Sequence, residues 1–337
     1  MWWETVVDGL VQAHSNDTVA PVRALICDIL ANLTSSLFDG FMLRRQRFVL
    51  SLVLGMAADE QPIVRAAACR TLGVFVLFSG LREDLMFMTD ATDVILKRTG
   101  DKSLDVRLRV FWAIANICDL FVENQTLLGA LLTDELYSNI TAAALSGAKD
   151  NVKARSHAVR ALGSLVLAAG ERVICLQARL DEIVQAVCAN ARSGPFKVRW
   201  NACHTLGKMF QNPHFPIGRA SWTRSTLATL TEAISQTRNY KVRIHACSAL
   251  RALDQRPRLG DRHNYADVVT AVVAALLSVD SMEHTVFSEY KYVEQLKEQL
   301  MACCRCLRDL ASEEDRPLVA EQFANVERRL SHKLIVC

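Results

Sequence analysis

The sequence has few of the residues on which β-rich folds depend. Aromatic residues make up only 7% of the 337 positions although hydrophobic residues make up 51%, so the apolar content is mainly Leu, Val and Ala. That composition favours helices, whereas β-sandwiches depend on aromatic and β-branched side chains. With 14 Gly and 7 Pro, the chain also has too few turn residues for many short strands. An all-α protein is therefore predicted.

Segments that direct a chain into or across a membrane are also missing. The stretch MWWETVVDGL has no basic region, apolar core or small-residue cleavage site, so no signal peptide is predicted. The longest apolar runs, such as residues 48–58, are much shorter than the ~20 residues that span a bilayer. The eleven cysteines are then expected to be reduced and buried. We expect a cytoplasmic or nuclear protein without membrane contact.

Motifs of catalysis and cofactor binding are missing as well. The sequence has no G-x-S-x-G, no phosphate-binding glycine loop and no H-E-x-x-H. Cys303 and Cys306 form a C-x-x-C, but two thiols are half of a structural zinc site, and core thiols are the favoured interpretation. His204 and His245 are interpreted as residues at the edge of a helical stripe. The tryptophans are interpreted as core residues: Trp2, Trp3, Trp112 and Trp200. We predict no enzyme, cofactor, metal or small-molecule substrate.

A repeat dominates what the sequence does contain. A hydrophobic–Arg pair occurs six times, at steps of 42, 42, 48, 44 and 44 residues. Four positions after the first member of each pair come Ile26, Ala68, Val110, Ala158, Ala202 and Ala246. Eight positions after it come Leu30, Leu72, Ile114, Leu162, Leu206 and Leu250. Four repeats add a cysteine beside the first column: Cys27, Cys69, Cys203 and Cys247. These spacings place the residues on one stripe of an amphipathic helix.

Another apolar helix and a short polar turn precede each of these helices. In the first three repeats the turn has an acid five residues ahead of the pair: Asp17, Asp59 and Asp101. The later repeats have other residues at that position, so the acidic column is interpreted as ending: Lys149, Ser193 and Thr237. Two-helix repeats of this length are typical of HEAT arrays, in which neighbouring repeats bury each other's faces.

The predicted fold is an all-α, right-handed α-solenoid of HEAT-type helix pairs, with six recognisable repeats and a divergent C-terminal capping region. The six repeats are assigned to residues 1–253. Residues 254–337 are assigned to a divergent helical repeat, with helices at 265–279 and about 285–312, and to a polar capping helix at 313–334. Both parts are expected to form one continuous solenoid.

Three features carry a resemblance to a known family. They are the run Trp200-Asn201-Ala202-Cys203, the Asn-Pro pair at 212–213 that leads to Trp222, and the run Tyr-Lys-Val-Arg at 240–243. With them, most of residues 100–320 resembles the C-terminal part of the HEAT repeat-containing protein 6 family. The resemblance implies a large intracellular HEAT-repeat protein without established enzymatic activity, and further repeats upstream of this chain. It supplies no site residues.

The repeated arginines are predicted to form a structural ladder. Their forked donors can bind carbonyl groups or an Asp of the same or an adjacent repeat. Contact between some of them and a ligand is the alternative. The predicted ladder consists of Arg23, Arg65, Arg107, Arg155, Arg199 and Arg243.

The second helices of the repeats carry an excess of positive charge. Residues 18–35, 60–79, 102–122, 150–169, 195–211 and 239–253 contain 15 Lys or Arg and five Asp or Glu, and the last two spans contain no acid. In HEAT arrays these helices line the concave side, so a basic groove is predicted. Its binding residues are predicted to be Lys153, Arg160, Lys197, Lys208, Lys241 and Arg251.

The groove leads to two functional hypotheses. The first is a non-enzymatic protein-interaction scaffold that binds an acidic peptide or a partner helix of another protein. The alternative is a solenoid that binds nucleic acid on the same basic face. Nucleic-acid-binding domains usually have a pI above ~9, and the pI of this chain is about 8.3. The protein partner is therefore the favoured hypothesis.

Overall fold

The computed structural model describes residues 2–280 and 290–334. It is 79% helix, and no strand occurs among those residues, which confirms the predicted all-α class. In the same part of the chain, no helix combines the length and the apolarity that a membrane crossing requires. The chain divides into two compact units, an N-terminal unit of residues 1–168 and a C-terminal unit of residues 169–337.

The N-terminal unit is built of helix pairs. Its helices are α1 (Trp2–Thr5), α2 (Gln12–His14), α3 (Ala20–Leu30), α4 (Ser35–Asp39), α5 (Leu43–Met56), α6 (Pro62–Phe75), α7 (Leu85–Leu96), α8 (Leu104–Glu123), α9 (Gln125–Leu131), α10 (Asp134–Gly147) and α11 (Val152–Ala168). A π-helical segment, Val6–Val11, joins α1 to α2. The pairs are α2–α3, α5–α6, α7–α8 and α10–α11, and the second helices α3, α6, α8 and α11 pack side by side in chain order.

The C-terminal unit repeats this arrangement. Its helices are α12 (Gln177–Arg192), α13 (Phe196–Phe210), α14 (Thr223–Gln236), α15 (Tyr240–Arg251), α16 (Arg262–Asp280), α17 (Tyr290–Leu310) and α18 (Arg316–Leu334). The second helices α13, α15 and α17 pack side by side, and α18 packs on α16. Residues 285–289 of the predicted helix 285–312 lie outside the described residues. The domain boundary at 253/254 and the continuity of the array stay predictions.

Local signals fix where several helices begin. Pro62 is the first residue of α6, where its missing N–H costs no hydrogen bond. The Asp84 side chain accepts hydrogen bonds from two backbone amides of α7, and the Asn239 side chain accepts one from α15. Such caps satisfy amides that have no partner within the helix. Proline or a capping side chain therefore marks the start of α6, α7 and α15.

The apolar columns of the repeat form the core. All twelve residues of the two columns have at most 2% of their surface exposed. The four cysteines beside them are fully buried, as predicted. Burial raises the pKa of each of these thiols to about 12: Cys27, Cys69, Cys203 and Cys247. The helix stripe predicted from the sequence spacing is therefore the one that packs into the core.

Two glycines permit close packing in the C-terminal unit. A Cβ on Gly207 would lie 3.0 Å from the Cα of Ala249, so glycine lets α13 and α15 approach closely. Gly218 has a φ of 94°, and a Cβ there would lie 2.1 Å from the carbonyl oxygen of Pro257. A side chain at either position would separate neighbouring elements.

Candidate functional site

In the N-terminal unit the repeated arginines join each helix pair to the next. Arg23 donates from Nε and Nη2 to the two carboxylate oxygens of Asp59, both at 2.8 Å, and from Nη1 to the carbonyl of Asp17 at 2.7 Å. Arg65 binds Asp101 in the same way, at 2.7 and 3.0 Å. Each guanidinium therefore binds the Asp of the following repeat and a carbonyl of its own turn.

The third link corrects the sequence interpretation. The acidic column was predicted to end where Lys149 takes its position, yet Arg107 donates to both carboxylate oxygens of Asp150, at 2.7 and 3.0 Å. The acid has moved by one residue, and the long arginine side chain still reaches it. The hydrogen bonds from the arginines are the largest cause that lowers the pKa of the three carboxyl groups: Asp59, Asp101 and Asp150.

In the C-terminal unit no described carboxylate is paired with the ladder arginines Arg199 and Arg243. Arg199 donates to the Oγ1 of Thr237 at 2.6 Å and to the carbonyl of Ala191 at 3.0 Å. Arg243 is 6% exposed, and no described residue accepts a hydrogen bond from its Nε. Burial lowers the pKa of this guanidinium. The Nε of Arg155, in the N-terminal unit, likewise has no acceptor among the residues described.

The predicted binding residue Arg160 is engaged within the N-terminal unit. Its Nη2 donates to the Oδ1 of Asn116 at 2.6 Å, and its Nε lies 3.6 Å from a carboxylate oxygen of Asp119. The Ser164 hydroxyl donates to the same carboxylate. Arg160 therefore links α8 to α11 and is half-buried.

The second helices of this unit carry one more ion pair and one exposed lysine. Asp28 on α3 and Arg70 on α6 form an ion pair at 3.2 Å. Lys153, the other predicted binding residue in this unit, is exposed at the start of α11. On the second helices of the N-terminal unit, Arg70 and Arg160 thus have acidic partners, whereas Lys153 is exposed.

The C-terminal unit presents a different face. On α13, successive spacings of three or four residues separate Lys197, Trp200, His204 and Lys208, which places them on one side of the helix. The adjacent helix α15 contributes Lys241, His245 and Arg251. We call these seven residues the α13–α15 face. They include four of the six predicted binding residues.

Three rings occupy the centre of this face. The rings of Trp200 and His245 stack with centroids 5.0 Å apart at an interplanar angle of 23°. His204 meets His245 edge-on at 5.5 Å. His204 is exposed, and the other two rings are half-buried. The close approach at Gly207 brings the two helices near enough for these contacts.

The cations lie around the rings. The Nζ of Lys241 lies 5.2 Å from the ring centroid of Tyr292 on α17, and Arg251 donates to the side chain of Gln299 at 2.9 Å. Lys197 is exposed and Lys208 is half-buried. None of the four cations has a carboxylate on its own helix, since Phe196–Phe210 and Tyr240–Arg251 contain no Asp or Glu.

The electrostatics of the face favour anions. Burial, and after it the neighbouring His204 and Lys241, lower the pKa of His245 to about 4, so this imidazole is neutral at pH 7. On the adjoining α17, Glu294 is paired with Lys297 at 3.1 Å. The positive charge of the face is therefore not balanced by acids of the two helices that carry it.

Sequence reasoning missed the three rings. Trp200 was interpreted as core and the two histidines as edge residues, whereas all three have accessible surface on the face. The signal that could have found them is the four-residue spacing from Trp200 to His204, from His204 to Lys208 and from Lys241 to His245. Trp2 is 71% exposed, so its assignment to the core is wrong. The acids Glu4 and Asp8 bind Arg45 of α5, which leaves Trp2 outside that contact.

The C-x-x-C motif of α17 belongs to the core. Cys303 and Cys304 are buried and Cys306 is half-buried. Burial raises the pKa of all three thiols. Within residues 2–280 and 290–334, no group of three or more His, Cys, Asp or Glu side chains is arranged to hold a metal ion.

Comparison with known proteins agrees with this architecture. The HEAT repeat family model matches residues 49–79, which cover most of α5 and all of α6. An uncharacterized protein of Dictyostelium discoideum is 26% identical over 411 aligned residues, which cover 88% of this chain and 27% of that protein. The chain therefore spans about a quarter of the length of this relative.

Solved structures show the same fold at low sequence identity. A crystal structure of importin beta aligns with a TM-score of 0.63 and 15% identity, covering 95% of this chain and 39% of that one. A designed armadillo repeat protein aligns with a TM-score of 0.55 and 16% identity, covering 77% and 99%. Another, in complex with the peptide (KR)4, aligns with a TM-score of 0.53 and 16% identity, covering 74% and 99%.

These matches concern the fold and the repeat. The finer resemblance to the HEAT repeat-containing protein 6 family stays a prediction. The helix pairs, the buried columns and the structural neighbours together show an all-α solenoid fold like that of HEAT and armadillo repeat proteins, and residues 49–79 match a HEAT repeat.

Proposed function

We propose that the α13–α15 face binds an acidic segment of a partner protein, and that the chain acts as a non-enzymatic interaction scaffold. The observation that carries the proposal is the lack of any Asp or Glu on two adjacent helices whose exposed side presents four cations. The ion pairs of Arg70 and Arg160 in the N-terminal unit show that repeats of the same kind can pair such charges internally. The imbalance in the C-terminal unit therefore supports a role outside the chain.

The packing beneath the face supports recognition by a preorganised surface. Ala202, Leu206, Ala246 and Leu250 are at most 1% exposed, so α13 and α15 are held by a close-packed core. A rigid backbone lowers the entropy that is lost when a ligand binds. The exposed lysines can also increase the rate of encounter with an acidic segment, an effect that salt screens.

The structural neighbours provide an analogy with opposite charge. One designed armadillo repeat protein is solved in complex with the peptide (KR)4, a basic ligand. A face rich in lysine and arginine requires the reverse, a ligand rich in Asp and Glu. The proposed binding residues are Lys197, Lys208, Lys241 and Arg251. Arg160 is not included because Asn116 and Asp119 already engage it.

Fluorescence anisotropy with the full chain tests this proposal. The probe is a fluorescein-labelled twelve-residue peptide of alternating Asp and Glu. Charge reversal by Lys208→Glu with Lys241→Glu should weaken binding at least ~10-fold, because two attractive contacts become repulsive. The matched control is Lys149→Glu with Lys153→Glu, which changes net charge equally on exposed positions of the N-terminal unit and should change the affinity less than ~2-fold.

Two outcomes would overturn the proposal. One is equal weakening by both pairs of substitutions, which would show only a response to net charge. The other is stronger binding of a twelve-nucleotide single-stranded oligothymidylate than of the peptide, with an affinity that falls steeply as salt is raised. That second result would favour the nucleic-acid alternative.

A further inference from the structure

We infer that the three rings at the centre of the α13–α15 face form a specificity site for an aromatic side chain within the acidic segment. This inference rests on the proposed function. It adds that the partner segment has an aromatic residue, which the cations of the face alone would not recognise. Trp200, His204 and His245 would contact the aromatic ring, and the lysines would bind carboxylates on both sides of it.

The geometry of the rings suits such an anchor. Aromatic pairs prefer offset-stacked or edge-on arrangements with centroids about 4.5–7 Å apart. His245 already makes one contact of each kind, with Trp200 at 5.0 Å and with His204 at 5.5 Å. A further ring placed against the exposed His204 and the accessible part of Trp200 would extend the same cluster, and it would add apolar contact area that a carboxylate cannot provide.

The cations lie at matching positions along α13. Lys197 precedes Trp200 by three residues and Lys208 follows His204 by four. At a rise of about 1.5 Å per residue, the two cations lie roughly 4.5 and 6 Å along the helix axis from the nearest ring. An extended peptide advances about 3.3 Å per residue. Acidic residues one or two positions before and after the anchor would therefore be in reach of the lysines.

The charge of the face decides the class of anchor. A guanidinium or ammonium group would stack on an indole elsewhere, but here Lys208, Lys241 and the adjacent Arg199 repel it. His245 remains neutral at pH 7, since its pKa lies near 4, so this ring of the centre is uncharged while the margin of the face is cationic. An aromatic ring gains from both, because it packs on the rings and its π-face attracts the neighbouring ammonium groups.

Three nine-residue acidic peptides, identical except for Phe, Leu or Ala at the central position, test the inference by anisotropy with the full chain. The Phe peptide should bind wild-type protein about fivefold more tightly than the Ala peptide, and more tightly than the Leu peptide. The ratio of Phe to Ala affinity should fall to about one in Trp200→Ala. The ratio should be largely kept in Trp200→Phe. This variant preserves an aromatic ring and so separates the loss of the ring from a general loss of packing.

The outcomes separate this inference from the proposed function. If Phe and Ala peptides bind equally well and both depend on Lys208 and Lys241, the anchor is wrong and the acidic docking site stands. If the Leu peptide binds as tightly as the Phe peptide, the preference is for apolar bulk and the aromatic assignment is wrong. If none of the three peptides binds, the proposed function itself fails.

His204→Ala, on an exposed side chain, should reduce the Phe preference without changing the melting temperature.

Discussion

The two units use the same repeat in different ways. In the N-terminal unit, each ladder arginine of α3, α6 and α8 binds an Asp of the following repeat, and charges on the second helices pair across neighbouring helices. In the C-terminal unit, Arg199 binds a threonine hydroxyl and a carbonyl group, and α13 and α15 contain no acid. In the N-terminal unit these arginines form ion pairs between helices, whereas in the C-terminal unit the cations of α13 and α15 lie on the surface without acids on their own helices.

This difference indicates a division of labour within one chain. Charged hydrogen bonds with two-pronged geometry are stronger than neutral ones and fix the register of neighbouring helices. A surface without compensating acids is held less tightly by charge and is more available to an external anion. Under the proposed function, the N-terminal unit supplies rigidity and the C-terminal unit supplies recognition.

The largest effect is expected from removing a ladder arginine of the N-terminal unit. Arg65→Ala leaves the carboxylate of Asp101, which is 5% exposed, without its main partner, and we expect a loss of about 3 kcal/mol of unfolding free energy. Arg199→Ala removes only bonds to neutral acceptors and should cost about 1–2 kcal/mol. Hydrogen exchange of the helices around each site measures both values. Equal losses would remove the contrast between the two ladders.

A smaller loss of stability is expected from breaking the ion pair between Arg256 and Asp315 in the C-terminal unit. Arg256 binds Asp315 at 2.6 Å. Burial raises the pKa of Asp315, but the hydrogen bonds from Arg256 and Ser312 outweigh it and lower the pKa to about 2. The stabilisation is therefore complete above about pH 4 and is lost as the pH falls towards 2.

We accordingly expect Asp315→Asn to cost about 2 kcal/mol at pH 7 and little at pH 2. Urea unfolding of wild type and variant at both pH values measures the difference. A cost that does not change with pH would show that Asp315 acts through its shape and neutral hydrogen bonds. The ionic link would then contribute nothing to the C-terminal unit.

Stability should respond still less to the lysines of the α13–α15 face. Lys208→Ala and Lys241→Ala should each change the unfolding free energy by less than about 0.5 kcal/mol, as surface substitutions usually do. Arg160→Ala in the N-terminal unit should cost about 1–2 kcal/mol, because it removes the hydrogen bond to Asn116 and the ion pair with Asp119. Thermal melts of the three variants decide. If the lysine variants melt early and Arg160→Ala does not, recognition and scaffold have been assigned to the wrong unit.

The two units should behave alike in their core thiols. Cys27 and Cys69 in one unit and Cys203 and Cys247 in the other are fully buried, and their pKa values are raised to about 12 by burial. In native protein at pH 8 we expect no reaction of these four with an aromatic disulfide reagent on the scale of minutes. The half-buried Cys306 should react before them. Rapid labelling of the column in only one unit would identify that unit as loosely packed.

The sequence was sufficient for the fold and for the core. Period, stripe and turns predicted the helix pairs and the buried columns, because these follow from local helical geometry. It was less informative about contacts between helices about 44 residues apart. The shift from Lys149 to Asp150, the acceptor role of Thr237 and the stacking of Trp200 on His245 depend on how neighbouring helices pack. A column alignment does not contain that information.

The predicted site shows the same limit. Spacings of three or four residues place Lys197 and Lys208 on one side of α13 with Trp200 and His204, and place Lys241 beside His245 on α15. Arg160 has the same charge but binds Asn116 and Asp119, a partnership between helices that composition cannot reveal. The excess of positive charge identified helices without acids, and binding by their lysines and arginines stays a prediction.

The most direct test of this division of labour is a hydrogen-exchange footprint of the full chain with the Phe-containing acidic peptide at saturation. Binding should slow exchange in Phe196–Phe210 and Tyr240–Arg251, and it should leave Leu104–Glu123 and Val152–Ala168 unchanged. Protection confined to the second helices of the N-terminal unit, with none on α13 and α15, would contradict the account.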